Sequence, residues 1–346
     1  MILSRGTRVV VSVLDWGLGH AGRSSVIVRT LVARGCSVTL AGSGRSLSLL
    51  SSEFPDLDVV PLRSFSPRLG AARRLWVEIM LQMPSLLWSI FREHRESQAI
   101  VRRLKPDLIV SDNRYGVWSR SCVSVFITHQ LHPHVSPGAP RWVERCVSSV
   151  LCLLVRRFDA CLVPDVRLGG LSGDMSLPVP RGLRVHCVGL LSRLALAGGS
   201  REGPVAFLGI ASGPEPQRSE FVAYLVSRFE GCAGRRVVVC GGADEKPYVS
   251  AGGVEVVPMA DAATLCGLML SAGHIVCRSG YTTVMDLASL GVLDSRVEFI
   301  PTAGQAEQVY LARRFEDGVL SGTVTRACGW LSGRHPKEAL PAHECE

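Results

Sequence analysis

The sequence predicts an α/β protein of two Rossmann-like halves that face each other across a cleft. Short β-branched runs alternate with longer helical stretches, the pattern of a parallel sheet covered by helices. Several runs are continuously apolar, as strands buried on both faces are. The alternation pauses at a small, Gly-rich, charged stretch, SRLALAGGSREGP (192–204), and then begins again.

At 346 residues the chain is long for one doubly wound domain and sufficient for two; 47% hydrophobic and 20% charged residues supply two cores. The first-half strands are expected at 8–14, 37–42, 57–62, 107–112, 123–128, 159–164 and 183–189. Those of the second half are expected at 205–210, 235–241, 254–259, 274–277 and 297–301. The boundaries that follow are 1–191 for the N-terminal domain, 192–204 for the linker, 205–325 for the C-terminal domain and 326–346 for a polar tail.

A net charge of +8 favours acidic partners: nucleotides, nucleic acid or an anionic membrane surface. None of the twelve Cys forms a CxxC pair, and Cys146, Cys152 and Cys161 are too loosely spaced for a standard zinc site. Buried reduced thiols are the better reading, and they suit a reducing cytoplasm. Met1 leads almost at once into RVVVSVL, so no signal peptide is expected, and no apolar run reaches the length of a membrane span.

Strand one ends in Asp15-Trp16-Gly17-Leu18-Gly19-His20-Ala21-Gly22-Arg23, followed by a helical run. Such a turn lets ligand atoms approach the backbone and aims helix N-terminal amides at them. Gly17, Gly19 and Gly22 fit G-x-G-x-x-G, a dinucleotide signal. The acidic residue expected after strand two is replaced by AGSGR (41–45), where Arg45 would suit the 2′-phosphate of NADP instead. His20 at the mouth of the turn can accept a proton from a hydroxyl; the plainer alternative is a helix cap or a bond to Asp15.

In the second half, Arg278-Ser279-Gly280-Tyr281-Thr282 is a strand end and helix start whose amides can bind a phosphate. Asp286 lies one to two turns further in, where a carboxylate can take both ribose hydroxyls; the alternative is a solvated helix face. Gln305, Glu307 and Gln308 follow another strand end and can read sugar hydroxyls, or form a polar surface loop. Ser212 and Gly213 lie in a Pro-rich loop after the first strand of this half, and Arg218 just beyond can meet a diphosphate.

Taken together, DWGLGHAGR, SDNRYG, SGPEPQR, CRSGYTTVMDL and PTAGQAEQ resemble glycosyltransferase family 28, over most of residues 8 to 315. The resemblance implies a GT-B fold and a nucleotide-sugar donor bound in the C-terminal domain. Ser279 and Gly280 would hold donor phosphate and Asp286 the ribose, where the family has Glu. Glu307 and Gln308 would hold the donor sugar. His20 falls on the family's proposed base position, with Asp112 the runner-up. The N-terminal domain would face the acceptor through Gly17, Gly19, Asn113, Arg114, His129 and Gln130. His129, His132 and His134 could alternatively suggest a metal, but no carboxylate or Cys joins them locally, so no metal is expected. SGPEPQR departs from the family's Gly-Ser-rich loop.

The segment 73–95 has bulky apolar residues with basic ends. Two core-facing helices broken at Pro84 are expected there, with contact to an anionic membrane as the rival. The activity expected is transfer of a hexose or N-acetylhexosamine from a nucleoside diphosphate sugar, UDP favoured, to a hydroxyl of a glycan or lipid-linked acceptor in cell-envelope synthesis. No cofactor and no nucleic acid are expected, and the place is the cytoplasm, at the inner membrane face if 73–95 makes contact. The rivals are a nucleotide-sugar 2-epimerase, a non-catalytic sugar-nucleotide binder and an NADP oxidoreductase.

Overall fold

A computed structural model describes residues 4–63, 75–136, 138–199, 203–242 and 246–320. The first sheet holds β1 (Arg8–Val13), β2 (Ser37–Gly42), β3 (Asp58–Pro61), β4 (Leu108–Asp112), β5 (Val123–Ile127), β6 (Ala160–Val163) and β7 (Val185–Cys187). Its order is β3-β2-β1-β4-β5-β6-β7, all parallel. The second sheet holds β8 (Val205–Ile210), β9 (Arg236–Val239), β10 (Tyr248–Val249), β11 (Glu255–Val257), β12 (Ala272–Cys277) and β13 (Val297–Phe299). Its order is β10-β11-β9-β8-β12-β13, parallel except at β10.

The helices are α1 (Leu18–Ala33), α2 (Gly44–Glu53), α3 (Leu75–Leu104), α4 (Arg141–Val155), α5 (Arg193–Ala197), α6 (Gln217–Phe229), α7 (Ala262–Ser271), α8 (Tyr281–Ser289) and α9 (Ala306–Glu316). The central strands are covered on both faces, which is why they read as continuous apolar runs: every residue of β1 after Arg8, and every residue of β4, is buried. In each sheet the strand order reverses beside the first strand, at β1–β4 and at β8–β12. Ligands of such sheets bind outside the carboxyl ends at that switch point. The register pairs Val13 with Asp112 and Ile210 with Cys277, so each switch point brings two strand ends together.

The stretch between the sheets is not irregular throughout. Ser192 accepts a bond from the Ala195 amide at 3.4 Å and caps the short helix α5. Leu191 and Leu194 from this connection join the core of the second half, as do Leu171 and Met175 from the first. The predicted tail lies outside the described residues.

One expectation is overturned. Pro84 does not break the chain into two helices; α3 runs through it. Proline removes one donor and crowds one carbonyl, which a 30-residue helix tolerates as a local defect. Nor do its apolar residues all face the core: Leu81, Trp88 and Phe91 are 75%, 62% and 50% exposed. Residues 73 and 74 of that segment lie outside the described range.

Candidate active site

The turn after β1 carries the N-terminal half of the site. Gly17 caps α1 with φ 86°, a conformation side chains rarely adopt. His20 and Arg23 follow three residues apart, so they share one face of the helix. Both point at Asp112, the last residue of the neighbouring β4. His20 Nδ1 lies 3.0 Å from Asp112 Oδ1. Arg23 Nε donates to the two Asp112 oxygens at 3.1 and 2.8 Å, its Nη2 also meets Oδ1, and the Ser24 hydroxyl donates to Oδ2 at 2.8 Å. The alternative bond from His20 to Asp15 is not made; Asp15 accepts from the Ser46 amide at 3.1 Å.

Asp112 is fully buried and both its oxygens are engaged. Burial alone would raise its pKa, but Arg23 and then His20 outweigh burial and hold the carboxyl well below the usual carboxylate range. This placement suits orienting His20, not receiving a proton. Burial, and next the Arg23 charge, lower the His20 pKa against the pull of Asp112. These surroundings favour the uncharged imidazole. With a proton on Nδ1 directed at Asp112, Nε2 has its lone pair free.

Across the cleft, α8 starts at Tyr281 with Gly280 as its cap. The two helix starts nearly touch: a Cβ on Gly19 would lie 2.6 Å from Thr282 Oγ1, so glycine is required for that approach. Glu307, from the first turn of α9, bridges the halves. Its Oε1 accepts from the Tyr281 amide at 3.1 Å and lies 3.4 Å from His129 Nε2, while Oε2 accepts from the Gln130 amide group. Burial would raise the Glu307 pKa, but His129 and the Tyr281 amide prevail and lower it. The Tyr281 ring stacks on His129 at 3.9 Å, and its hydroxyl donates to the Pro164 carbonyl at 2.7 Å.

Other predicted residues have been given different surroundings. Ser279 is buried, and its hydroxyl donates to the Gln308 carbonyl at 2.7 Å. Gln308 is occupied within its own loop: Oε1 accepts from the Thr302 amide at 2.8 Å and Nε2 donates to Gln305 Oε1 at 2.6 Å. Asp286 Oδ1 accepts from the Ser192 hydroxyl at 2.5 Å, tying α8 to the connection between the halves. Burial raises the Asp286 pKa to about 6 against the opposing Ser192 bond and Arg193 charge. Ser212 and Gly213 are exposed on their loop, and Asn113 adopts the left-handed φ of 56° directly after Asp112. Arg218 Nη1 donates to the Gly241 carbonyl at 2.9 Å and Nη2 meets Glu215. Arg45 reaches the same carbonyl from the other half, also at 2.9 Å.

Two predicted site arginines are held by partners within their own half. Arg114 is 1% exposed and pairs with Glu93 at 2.7 Å while donating to the Val13, Leu62 and Arg63 carbonyls. It is a clamp inside the first half, not an acceptor contact. Arg278 covers the Phe221 ring at 3.8 Å and donates to the Ile300 carbonyl at 2.9 Å, on the α6 side of its sheet. The three loop histidines also diverge: His132 meets the Pro178 carbonyl and His134 packs on Tyr310. Among the described residues no group of three or more His, Cys, Asp or Glu could hold a metal ion.

Sequence reasoning missed Arg23 and Ser24. The available signal was the three-residue spacing of His20 and Arg23 in an otherwise small and apolar helix start. Asp112 could not be linked to them by spacing, because it lies 89 residues from Arg23.

Solved structures share this architecture along nearly the whole chain. The glycotransferase of kitacinnamycin matches at 18% identity and a TM-score of 0.58, over 96% of this chain and 100% of its own. Phytolacca americana UGT2, complexed with UDP-2fluoro-glucose and pterostilbene, matches at 15% and 0.58, over 96% and 91%. Acinetobacter baumannii MurG matches at 12% and 0.51, over 93% and 94%. The chain has the GT-B fold. No protein-family model matches it, and neither does any curated protein. MurG, a family 28 enzyme, stands among GT-B transferases of other kinds, so the likeness establishes the GT-B architecture.

Proposed function

We propose that the protein transfers a hexose or N-acetylhexosamine from a nucleoside diphosphate sugar, UDP favoured, to an acceptor hydroxyl. The observation that carries this reading is the His20–Asp112 pair set against the start of α8 in a GT-B fold. A base on the first half and phosphate-binding amides on the second then meet at one point in the cleft. Matched structures complexed with UDP-2fluoro-glucose and with thymidine diphosphate support a pyrimidine nucleoside diphosphate.

In this reading His20 Nε2 takes the proton of the acceptor hydroxyl as its oxygen bonds to the anomeric carbon. The bond from that carbon to the diphosphate breaks, and the leaving group keeps the electron pair. Amides at the start of α8 and the Arg218 guanidinium, released from Gly241, stabilise the departing charge. Asp286 would leave Ser192 for the donor ribose, and no metal or cofactor is required. The test is release of nucleoside diphosphate from UDP-, dTDP- and GDP-sugars. Release from at least one is expected, and none from any would refute the proposal.

Glu307 sharpens the donor assignment. Its carboxylate holds the Tyr281 amide that a donor phosphate would use. A phosphate must therefore displace a like charge from a helix start. Glu307→Gln is expected to tighten binding of UDP alone by about 0.3–1 kcal/mol, the usual worth of one charge at a helix terminus. Calorimetric titration measures it; weaker binding by the variant would show that Glu307 aids the phosphate instead.

We place the protein in the cytoplasm, with the exposed face of α3 against the inner membrane. Leu81, Trp88 and Phe91 are exposed along one helix that also carries Arg92 and Arg95. Among the described residues no helix is long and apolar enough to cross a membrane. Trp88→Glu should reduce cosedimentation with anionic lipid vesicles at least several-fold; undiminished cosedimentation would remove α3 from that role.

A further inference from the structure

Arg23 is among the largest fully buried side chains of the protein, and its position is unusual for a cation. Its guanidinium lies among one carboxylate and two imidazoles. Nε and Nη2 hold Asp112, Nη2 lies 2.8 Å from His20 Nδ1, and Nη1 lies 3.2 Å from His129 Nδ1. Guanidinium carries only donors and is not deprotonated in proteins. His20 Nδ1 is thus within reach of one acceptor, Asp112, and one permanent cationic donor.

We infer that Arg23 is a positioning residue that keeps His20 an uncharged imidazole, so that the proposed base is ready to accept a proton. The inference rests on the reading of His20 as the base. An imidazolium at His20 would place a second positive charge on a ring whose Nδ1 lies 2.8 Å from Arg23 Nη2. Asp112 cannot fully compensate, because both its oxygens already accept from Arg23. In a His–carboxylate pair without the arginine, the carboxylate charge would favour the imidazolium.

The groups facing His20 come from four elements. Arg23 lies on its own helix, Asp112 at the end of β4, His129 after β5, and Glu307 in the first turn of α9. Asp112 pulls towards the charged imidazole, while burial, Arg23 and His129 push against it. Glu307 feels the His20 charge in return and adds to the pull of Asp112. Burial is the largest opposing influence, and Arg23 is the largest contributed by a side chain. A proton taken from the acceptor would therefore rest on a destabilised imidazolium and leave readily to solvent once the cleft opens.

The test is NMR titration of the intact, histidine-labelled chain without substrate. The chain has nine His, and the His20 signal is assigned by its loss in His20→Gln. The wild-type midpoint is expected below the ordinary imidazole value of about 6.5. Arg23→Gln, which keeps hydrogen bonding but removes the charge, should raise the midpoint by about one unit, a tenfold change in proton affinity. Arg23→Lys should restore part of the depression. A wild-type midpoint at or above the ordinary value overturns the inference, and so does an unchanged midpoint in a folded Arg23→Gln. Should Arg23→Gln not fold, Arg23→Met, an uncharged side chain of similar reach, is titrated instead, with the same rise expected and an unchanged midpoint overturning the inference. Because no substrate is present, failure here is separate from failure of the transferase reading, which the diphosphate-release assay reports.

Discussion

Replacing His20 by alanine is expected to lower turnover by about 10²–10⁴-fold, the usual contribution of a positioned general base. Donor affinity should change little. His20 stands on the first half, whereas the amides proposed for the phosphates belong to α8 on the second. The loss should thus appear in kcat and not in binding. Equal loss of donor affinity would mean that His20 contacts the nucleotide. Undiminished turnover would remove it from the chemistry.

Asp112→Ala is expected to act on the fold first. It would leave the buried Arg23 guanidinium without its carboxylate, and breaking a buried pair from one side costs about 3–5 kcal/mol. The midpoint of denaturant unfolding should fall accordingly, with turnover reduced in whatever fraction stays folded. The pH dependence has a definite sign. The folded Asp112 has a depressed pKa, so its stabilisation is present above the ordinary carboxylate range and is lost as pH falls through the depressed value. Wild type should therefore lose the Asp112 contribution only in strong acid, and the variant should lack that part of the acid sensitivity. A destabilisation under about 1 kcal/mol would show that Arg23 finds other partners.

Much of the architecture was legible because buried parallel strands announce themselves. SVTLAG and VAFLGI were read from the sequence with the same limits that β2 and β8 have. β10 was not read: it has two exposed residues, pairs antiparallel at an edge and has no apolar pattern to reveal it. Pro84 misled because its local cost is real, yet a long helix with stabilising turns on both sides absorbs it.

The site was legible in its loops and less so in its side-chain roles. Strand ends and Gly-rich turns pointed to the cleft, because topology fixes where strands end. Whether an arginine at a strand end turns towards a ligand or into the protein depends on residues far away in sequence. Arg114 finds Glu93 and three carbonyls and is buried, while Arg278 lies over the Phe221 ring and remains partly exposed. Arg23, the last residue of the Gly-rich turn and given no role there, lies at the centre of the polar network. Asp112 gains its orienting place only through the pairing of β1 with β4.

Binding of a nucleoside diphosphate sugar in the cleft is measured most directly by a melting-temperature screen of the intact protein. A ligand that binds only the folded state raises the transition, by about 2.7 kcal/mol in stability at a hundred times its Kd. UDP-, dTDP- and GDP-sugars should be compared with NADP, the dinucleotide that the Gly17–Gly22 turn and Arg45 would otherwise suit. A shift with at least one sugar nucleotide and none with NADP is expected. A shift with NADP and none with any sugar nucleotide would contradict that expectation.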